Sequence, residues 1–252
     1  MNYIDIKQTT KDLIKWIKDY FDSNGNENTL AIVGISGGKD SLVVAALCAA
    51  ALGKERVLGV QMPDGDQTDI KDSNMVFDLL GIRRMCVNIG EITKSFYQAI
   101  GEPIATDPAI TTNTPARIRM SVLYAIGARY NGRVACTSNA SEAYVGYSTK
   151  WGDNVGDFAP LRNLTTQEVC DIGIELGLPQ ALVFKTPSDG MSGLSDEDKL
   201  GFKYRDVNII LRDGSIKNIN NQAFCDITMK HTITQHKLNP IPMFEPNLIE
   251  GD

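Results

Sequence analysis

Residues 30 to 41 constrain this chain more than any other stretch. They read Leu-Ala-Ile-Val-Gly-Ile-Ser-Gly-Gly-Lys-Asp-Ser and lead into an apolar run, Leu42 to Leu52, that stops at Gly53. A short apolar run bounded by a turn is the pattern of a buried strand, and the longer run behind it is that of a helix buried on most sides. Strand, glycine turn and helix in that order bring backbone N–H groups and the positive end of a helix dipole to one point, a ready site for phosphate. The glycines let phosphate oxygens come close to the main chain. The turn is not a Walker loop, which needs glycine where this chain has Val33 and Ser or Thr where it has Asp40. A plain capped turn is the competing reading.

The rest of the chain alternates in the same way. Leu13, Ile14, Ile17, Tyr20 and Phe21 fall at helical spacing within residues 9 to 21. Val57 to Met62 reads as a strand, Asp69 to Leu80 as a helix with an acidic first turn, and Arg84 to Ile89 as a third strand. The Pro- and Thr-rich stretch 101–114 reads as a loop, and Pro115 as the start of a helix, capped by Thr114 and ending at Tyr130. Arg133 to Thr137 is the expected fourth strand. A helix, a Gly- and Asp-rich loop from Gly146 to Pro160, and a helix from Thr165 to Leu176 follow. The alternation predicts one α/β domain over residues 1–252, a doubly wound parallel sheet with helices on both faces and ligands at the carboxyl ends of the strands. Within it, 1–28 is expected as a helical arm, 186–205 as a mobile lid and 236–252 as a tail.

With 252 residues, 42% of them hydrophobic, the chain can bury a full core. Its net charge of −6 argues against a nucleic-acid partner. Five cysteines without CxxC spacing oppose a disulfide framework or a cysteine zinc site and point to a reducing compartment. No signal peptide and no membrane partner are expected, and the expected address is the cytoplasm.

Thr137-Ser138-Asn139-Ala140-Ser141-Glu142 follows the fourth strand. Its simplest reading is a capping box, with Asn139 as the cap and Glu142 reaching back. The chain then continues as Gly146-Tyr147-Ser148-Thr149-Lys150-Trp151-Gly152-Asp153, with Asp157 beyond.

The segment SGGKDS resembles the pyrophosphate-binding loop of the ATP pyrophosphatase superfamily, whose members have a Rossmann-like fold. Together with NTPARIRM, TSNASE, GYSTKWGD, KTPSD and a late His236-Lys237, it resembles ammonia-dependent NAD⁺ synthetase from about residue 10 to 245. The resemblance implies amidation of deamido-NAD⁺ with ammonia, at the expense of ATP, through an adenylated nicotinate. It assigns Gly34, Ile35, Ser36, Gly37, Gly38, Lys39, Asp40 and Ser41 to the ATP phosphates, and Asp40 and Glu142 to Mg²⁺. Thr137, Thr166 and Ser188 fall to ATP; Arg117, Lys150, Asp157, His236 and Lys237 fall to deamido-NAD⁺. Asp153, beside Lys150, is the candidate for taking a proton from incoming ammonia. About thirty residues precede the loop, short for a glutaminase domain, so free ammonia or a separate partner is the expected nitrogen source.

The family also implies a homodimer, and the apolar face of the first helix and the Pro115 helix are candidate interfaces. The match departs at Thr166, where the family has a phosphate-binding Lys, and at Gln61, where many relatives have an Arg beside the adenine. It departs again at Lys39, in place of an aliphatic residue; Lys39 is expected to bring a cation to the phosphates in compensation. His231 has no motif support and is expected to be structural or exposed. A tRNA-modifying enzyme with the same loop and a non-catalytic nucleotide-binding homologue are the rival readings.

Overall fold

The computed structural model describes residues 3–66, 70–101, 104–185, 195–214 and 217–246. In chain order the main elements are α1 (Ile6–Asn24), β1 (Leu30–Gly34), α2 (Lys39–Leu52), β2 (Val57–Gln61), α3 (Ile70–Leu80), β3 (Arg83–Cys86), α4 (Gly90–Ile100), α5 (Pro108–Arg129), β4 (Gly132–Val134), α6 (Ala140–Tyr144), α7 (Thr166–Glu175), α8 (Gln180–Val183), α9 (Asp196–Leu200), α10 (Tyr204–Asp213) and α11 (Asn221–Thr234).

The strands form one parallel sheet in the order β3-β2-β1-β4. Ile32 of β1 stands opposite Leu58 on one side and Val134 on the other. The chain winds outward from β1 to β3 and then returns to the far side of β1. The order therefore reverses between β1 and β4, and ligands of open α/β sheets bind at the carboxyl ends of such a pair. The glycine turn leaves β1 at that point, and Thr137 to Asn139 leave β4 there.

Both sheet faces are covered, which is why β1 and β2 read as continuous apolar runs. On one face Val43, Val44 and Leu47 of α2 pack with Ile17 and Phe21 of α1 and with Val169 and Ile172 of α7. On the other, Ile126 of α5 lies over Ile32, Leu58, Val60 and Val134. The apolar stripe of α1, a candidate dimer face by sequence, is thus used inside the chain. Truncating a buried residue such as Leu47 to Ala costs about 2–5 kcal/mol in such a core.

The expected helix start at Pro115 is corrected. α5 begins at Pro108, where Asp107 Oδ1 caps the Ala109 N–H at 2.7 Å, and Pro115 lies inside the helix. A proline there removes one N–H from the helix ladder. The carbonyl it leaves free, that of Thr111, receives the Tyr97 hydroxyl at 3.4 Å from α4. Two strands are shorter than expected. β4 ends at Val134 because Ala135 pairs instead with Phe158. β3 ends at Cys86, although the Val87 and Ile89 N–H groups still bond Gln61 and Pro63. Residues 186–194 of the expected lid lie outside the described residues. The remainder holds α9, capped by Ser195, with Leu200 and Phe202 buried. Among the described residues no helix is long and apolar enough to cross a membrane.

Candidate active site

The glycine turn packs against the start of α3 and is braced by its own serines. Gly37 has φ +84°, and a Cβ there would meet Asp72 and the Ser73 backbone at 2.8 Å, so only glycine fits where the turn crosses the start of α3. Asp72 is in turn ion-paired to Lys185. Ser36 and Ser41 hydroxyls stand 3.2 Å apart, and Ser41 donates to the Gly38 carbonyl at 2.9 Å. The first N–H groups of α2 have no partner within the helix, as at any helix start, and the N-terminus of a helix suits an anion.

Asp40, in the first turn of α2, meets the segment that follows β4. Its Oδ1 accepts from Asn139 Nδ2 at 3.0 Å, and its Oδ2 accepts from Lys39 Nζ at 2.7 Å. Asn139 is fully buried and works in both directions. Its side-chain oxygen accepts the Ser141 and Glu142 N–H groups, and its own N–H donates to Glu142 Oε2 at 3.3 Å. The capping box predicted from sequence is present, and it is also the bridge between the two acids. Thr166, at the start of α7, donates its N–H to Ser141 Oγ at 3.0 Å and reaches Asn139 Oδ1 at 3.5 Å. It therefore stands at the same cluster without supplying a charge.

Burial pushes the Glu142 carboxyl up to about 8, and the Asp40 carboxylate adds to the shift. Burial alone would lower the Lys39 ammonium, but Asp40 and Glu142 outweigh it and carry it to about 12. Lys39 is thus a permanent cation, and in this structure it sits on a carboxylate. Among the described residues no group of three or more His, Cys, Asp or Glu side chains stands ready for a metal. Two carboxylates fit an ion such as Mg²⁺ that keeps several waters and takes the rest of its ligands from phosphate.

A second constellation gathers around residues 146–153. Asp153 Oδ1 accepts the Thr149 N–H at 2.7 Å. Lys150 Nζ donates to the His236 carbonyl at 2.6 Å and lies 5.4 Å from the Trp151 ring centroid. Lys237 Nζ donates to the Gly146 and Ser148 carbonyls, each at 2.9 Å. Arg117 Nε donates to the Lys150 carbonyl at 3.3 Å. Crowding by the protein raises the Asp153 pKa, opposed by the Thr149 N–H and by the Lys237 and Arg119 charges. Ser138 links the two constellations through the Asp153 carbonyl at 3.3 Å.

The structure thus brings together Arg117, Lys150, Asp153, His236 and Lys237, the last two through groups far apart in sequence. His236 takes part by its carbonyl; its ring Nδ1 stands 3.0 Å from the Ile233 carbonyl. Asp157 shares no bond with this group among the described residues. Its carboxylate accepts the Val134 N–H at 2.7 Å and ties the 157–158 segment to β4. Thr137 is half-buried at the reversal point, and Ser188 lies outside the described residues. Gln61 is buried against α3, with Nε2 on Asn74 Oδ1 at 2.9 Å. His231 is structural, stacked on Tyr144 at 4.0 Å. An open cleft of about 440 Å³ between α4 and α5 lies away from the carboxylates, and Arg117 is the expected site residue on its wall.

Sequence reasoning missed three contributors. Asn139 looked like a cap only. Arg212 of α10 grips the buried Glu168 of α7 through two bonds of 2.6 and 2.7 Å and so fixes the start of α7 beside Asn139. Tyr204 was not singled out at all. Helical spacing marks none of these pairings, because the partners are far apart in the chain.

A parallel sheet with a glycine turn at its reversal point, and two acids bridged behind that turn, defines an α/β nucleotide-binding protein of the ATP pyrophosphatase type. The NAD synthase family matches residues 9–241, and the chain belongs to that family. Similar proteins include the NH₃-dependent NAD⁺ synthetase of Pyrococcus furiosus, 34% identical over 94% of this chain and 90% of its own. The enzyme of the same description from Methanosarcina acetivorans is 38% identical over 83% of this chain and 82% of its own. Among solved structures, NMN synthetase from Francisella tularensis aligns with a TM-score of 0.86 and 31% identity, covering 97% of this chain and all of that one. The NH₃-dependent NAD synthetase of Campylobacter jejuni shares the fold, with a TM-score of 0.79 and 24% identity, covering 96% of this chain and 100% of that one.

Proposed function

We propose that this chain amidates the nicotinate carboxyl of deamido-NAD⁺ with ammonia, in two steps driven by ATP. A carboxylate oxygen attacks the α-phosphorus of ATP and expels pyrophosphate, leaving a mixed anhydride with AMP. Ammonia then attacks the carbonyl carbon, loses a proton, and releases AMP and NAD⁺. The observation that carries this reading is the Asp40–Asn139–Glu142 unit behind the glycine turn, joined through Ser138 to the loop that holds Asp153.

The protein's part is positioning and charge. The turn and the start of α2 orient the phosphates. Mg²⁺, held by Asp40 and Glu142 with phosphate oxygens, would supply neutralising charge when bound. Lys39 adds a fixed cation beside it. Arg117, Lys150 and Lys237 offer cations to a substrate that carries its own pyrophosphate and a carboxylate. In this reading Asp153 accepts the ammonia proton, a role its raised pKa supports. We read the working form as a cytoplasmic homodimer. Five free thiols support the compartment, and the exposed apolar Phe96 and Ile104 near α5 support the contact.

A second reading is favoured by one observation. The NMN synthetase structure aligns better than the NAD synthetase structures from Campylobacter jejuni and Burkholderia pseudomallei. The same carboxyl chemistry on nicotinate mononucleotide would then be the native reaction. Purified protein incubated with ATP, Mg²⁺ and ammonium, with either pyridine nucleotide, decides between them. The first reading predicts one AMP and one pyrophosphate per NAD⁺ and a higher kcat/KM for the dinucleotide. A higher value for the mononucleotide selects the second. ATP cleavage to ADP, or no amide from either, contradicts both.

A further inference from the structure

Tyr204 opens α10 with a buried polar group that has no partner among the described residues. The residue is 5% exposed, and its phenol oxygen has no hydrogen-bond partner among the described residues. A buried hydroxyl left unpaired is costly, and native structures rarely keep one without a reason. The rest of the residue is well satisfied. Its ring packs with Val145, Leu200, Phe202 and Val207, and its N–H donates to Glu197 Oε1 at 2.9 Å. Only the hydroxyl is unmet.

Its placement says what would meet it. One turn further along the same face of α10, Asn208 Oδ1 accepts the Ser141 hydroxyl at 2.6 Å. That bond presses this face of α10 onto α6, the helix that carries Glu142. Burial, then Glu142, Asp196, Tyr147 and Asp40, keep the phenol proton in place, so the group remains a donor. The carboxylates around it are engaged elsewhere. Asp40 takes Lys39 and Asn139, Glu142 takes the Asn139 N–H, and Asp196 takes the Tyr147 hydroxyl at 3.0 Å. A spare donor in the contact between α10 and the helix that carries Glu142 suits an anion with several free oxygens that brings its own divalent cation.

We propose that the Tyr204 hydroxyl is a phosphate-binding donor of this site, bonded to a non-bridging oxygen of the pyrophosphate that leaves ATP. The assignment rests on the amidation reading for the identity of its ligand. Tyr204→Phe removes one oxygen and keeps the packed ring. The test is calorimetric titration of the whole protein with magnesium pyrophosphate, alongside thermal melting without ligand. The variant should bind about ten-fold more weakly or worse, as expected for loss of a bond to a charged acceptor. Its melting temperature should stay level or rise, because an unpaired hydroxyl is gone. Equal affinity in parent and variant overturns the proposal. So does a melting temperature well below the parent's, which would reveal a structural partner. If Tyr204→Phe weakens pyrophosphate binding yet the parent forms no amide, the amidation reading fails and the donor assignment stands.

Discussion

The carboxylate unit behind the glycine turn and the loop at 146–153 are built on opposite plans. In the first, Asn139 is fully buried and every bond to Asp40 and Glu142 comes from a neighbour inside the protein. In the second, Trp151 is 51% exposed, and Lys150 reaches a backbone carbonyl across the surface. A stiff, enclosed unit suits the place where charge builds at phosphorus, since preorganised groups need not rearrange during reaction. A surface loop held by long cations suits a bulky substrate that must enter and leave.

Breaking the stiff unit should have the largest effect. Asp40→Asn should lower kcat/KM about 10²–10³-fold, as removal of a charge-stabilising group does. It should also reduce stability by about 3–5 kcal/mol, because Lys39 is left buried without its partner. Steady-state kinetics and urea unfolding check the two parts. Arg212→Ala comes next, at about 2–3 kcal/mol, since it strands the buried Glu168 while Arg212 itself is partly in water. Burial opposes ionisation of Glu168, but the Arg212 bonds prevail and its pKa is lowered. A lowered carboxylate stabilises the fold above its unfolded pKa and loses that contribution as pH falls through the folded value. The variant should therefore lose part of the parent's acid sensitivity.

The third effect sharpens the contrast through pH. Glu142 holds a proton below about 8 when no ion is bound. Ion binding must displace that proton, so magnesium pyrophosphate affinity should rise up to about ten-fold per pH unit toward pH 8 and level off above it. In Glu142→Gln the slope should fall to what the titration of pyrophosphate itself leaves, as read by calorimetry at several pH values. The smallest effect belongs to the exposed loop. Lys150→Ala should raise the KM for the pyridine nucleotide about ten-fold by removing one charged contact. Its melting curve should stay within about 0.5 kcal/mol of the parent's.

The same contrast governs what the sequence reveals. β1, the glycine turn and α2 are legible because apolar run length, glycine and an acidic first turn are local signals. The Asn139–Glu142 capping box is legible for the same reason. Its second task, holding Asp40, is hidden, since ninety-nine residues separate the pair. Pro115 misled because a proline suits a helix start, whereas here Tyr97 makes good the lost bond from another helix. The Lys39–Asp40 ion pair is hidden as well, since burial decides it and composition does not show it. The family resemblance located the loop at 146–153, but only packing reveals that the chain's late His236 and Lys237 hold it in place.

The central claim is that a nicotinate oxygen attacks the α-phosphorus of ATP at the Asp40–Glu142 site. Deamido-NAD⁺ labelled with ¹⁸O in its carboxyl group tests it most directly. After one turnover with ATP and ammonium, mass spectrometry should find one ¹⁸O in AMP and none in pyrophosphate. Label in inorganic phosphate, or unlabelled AMP beside fully formed amide, would contradict it.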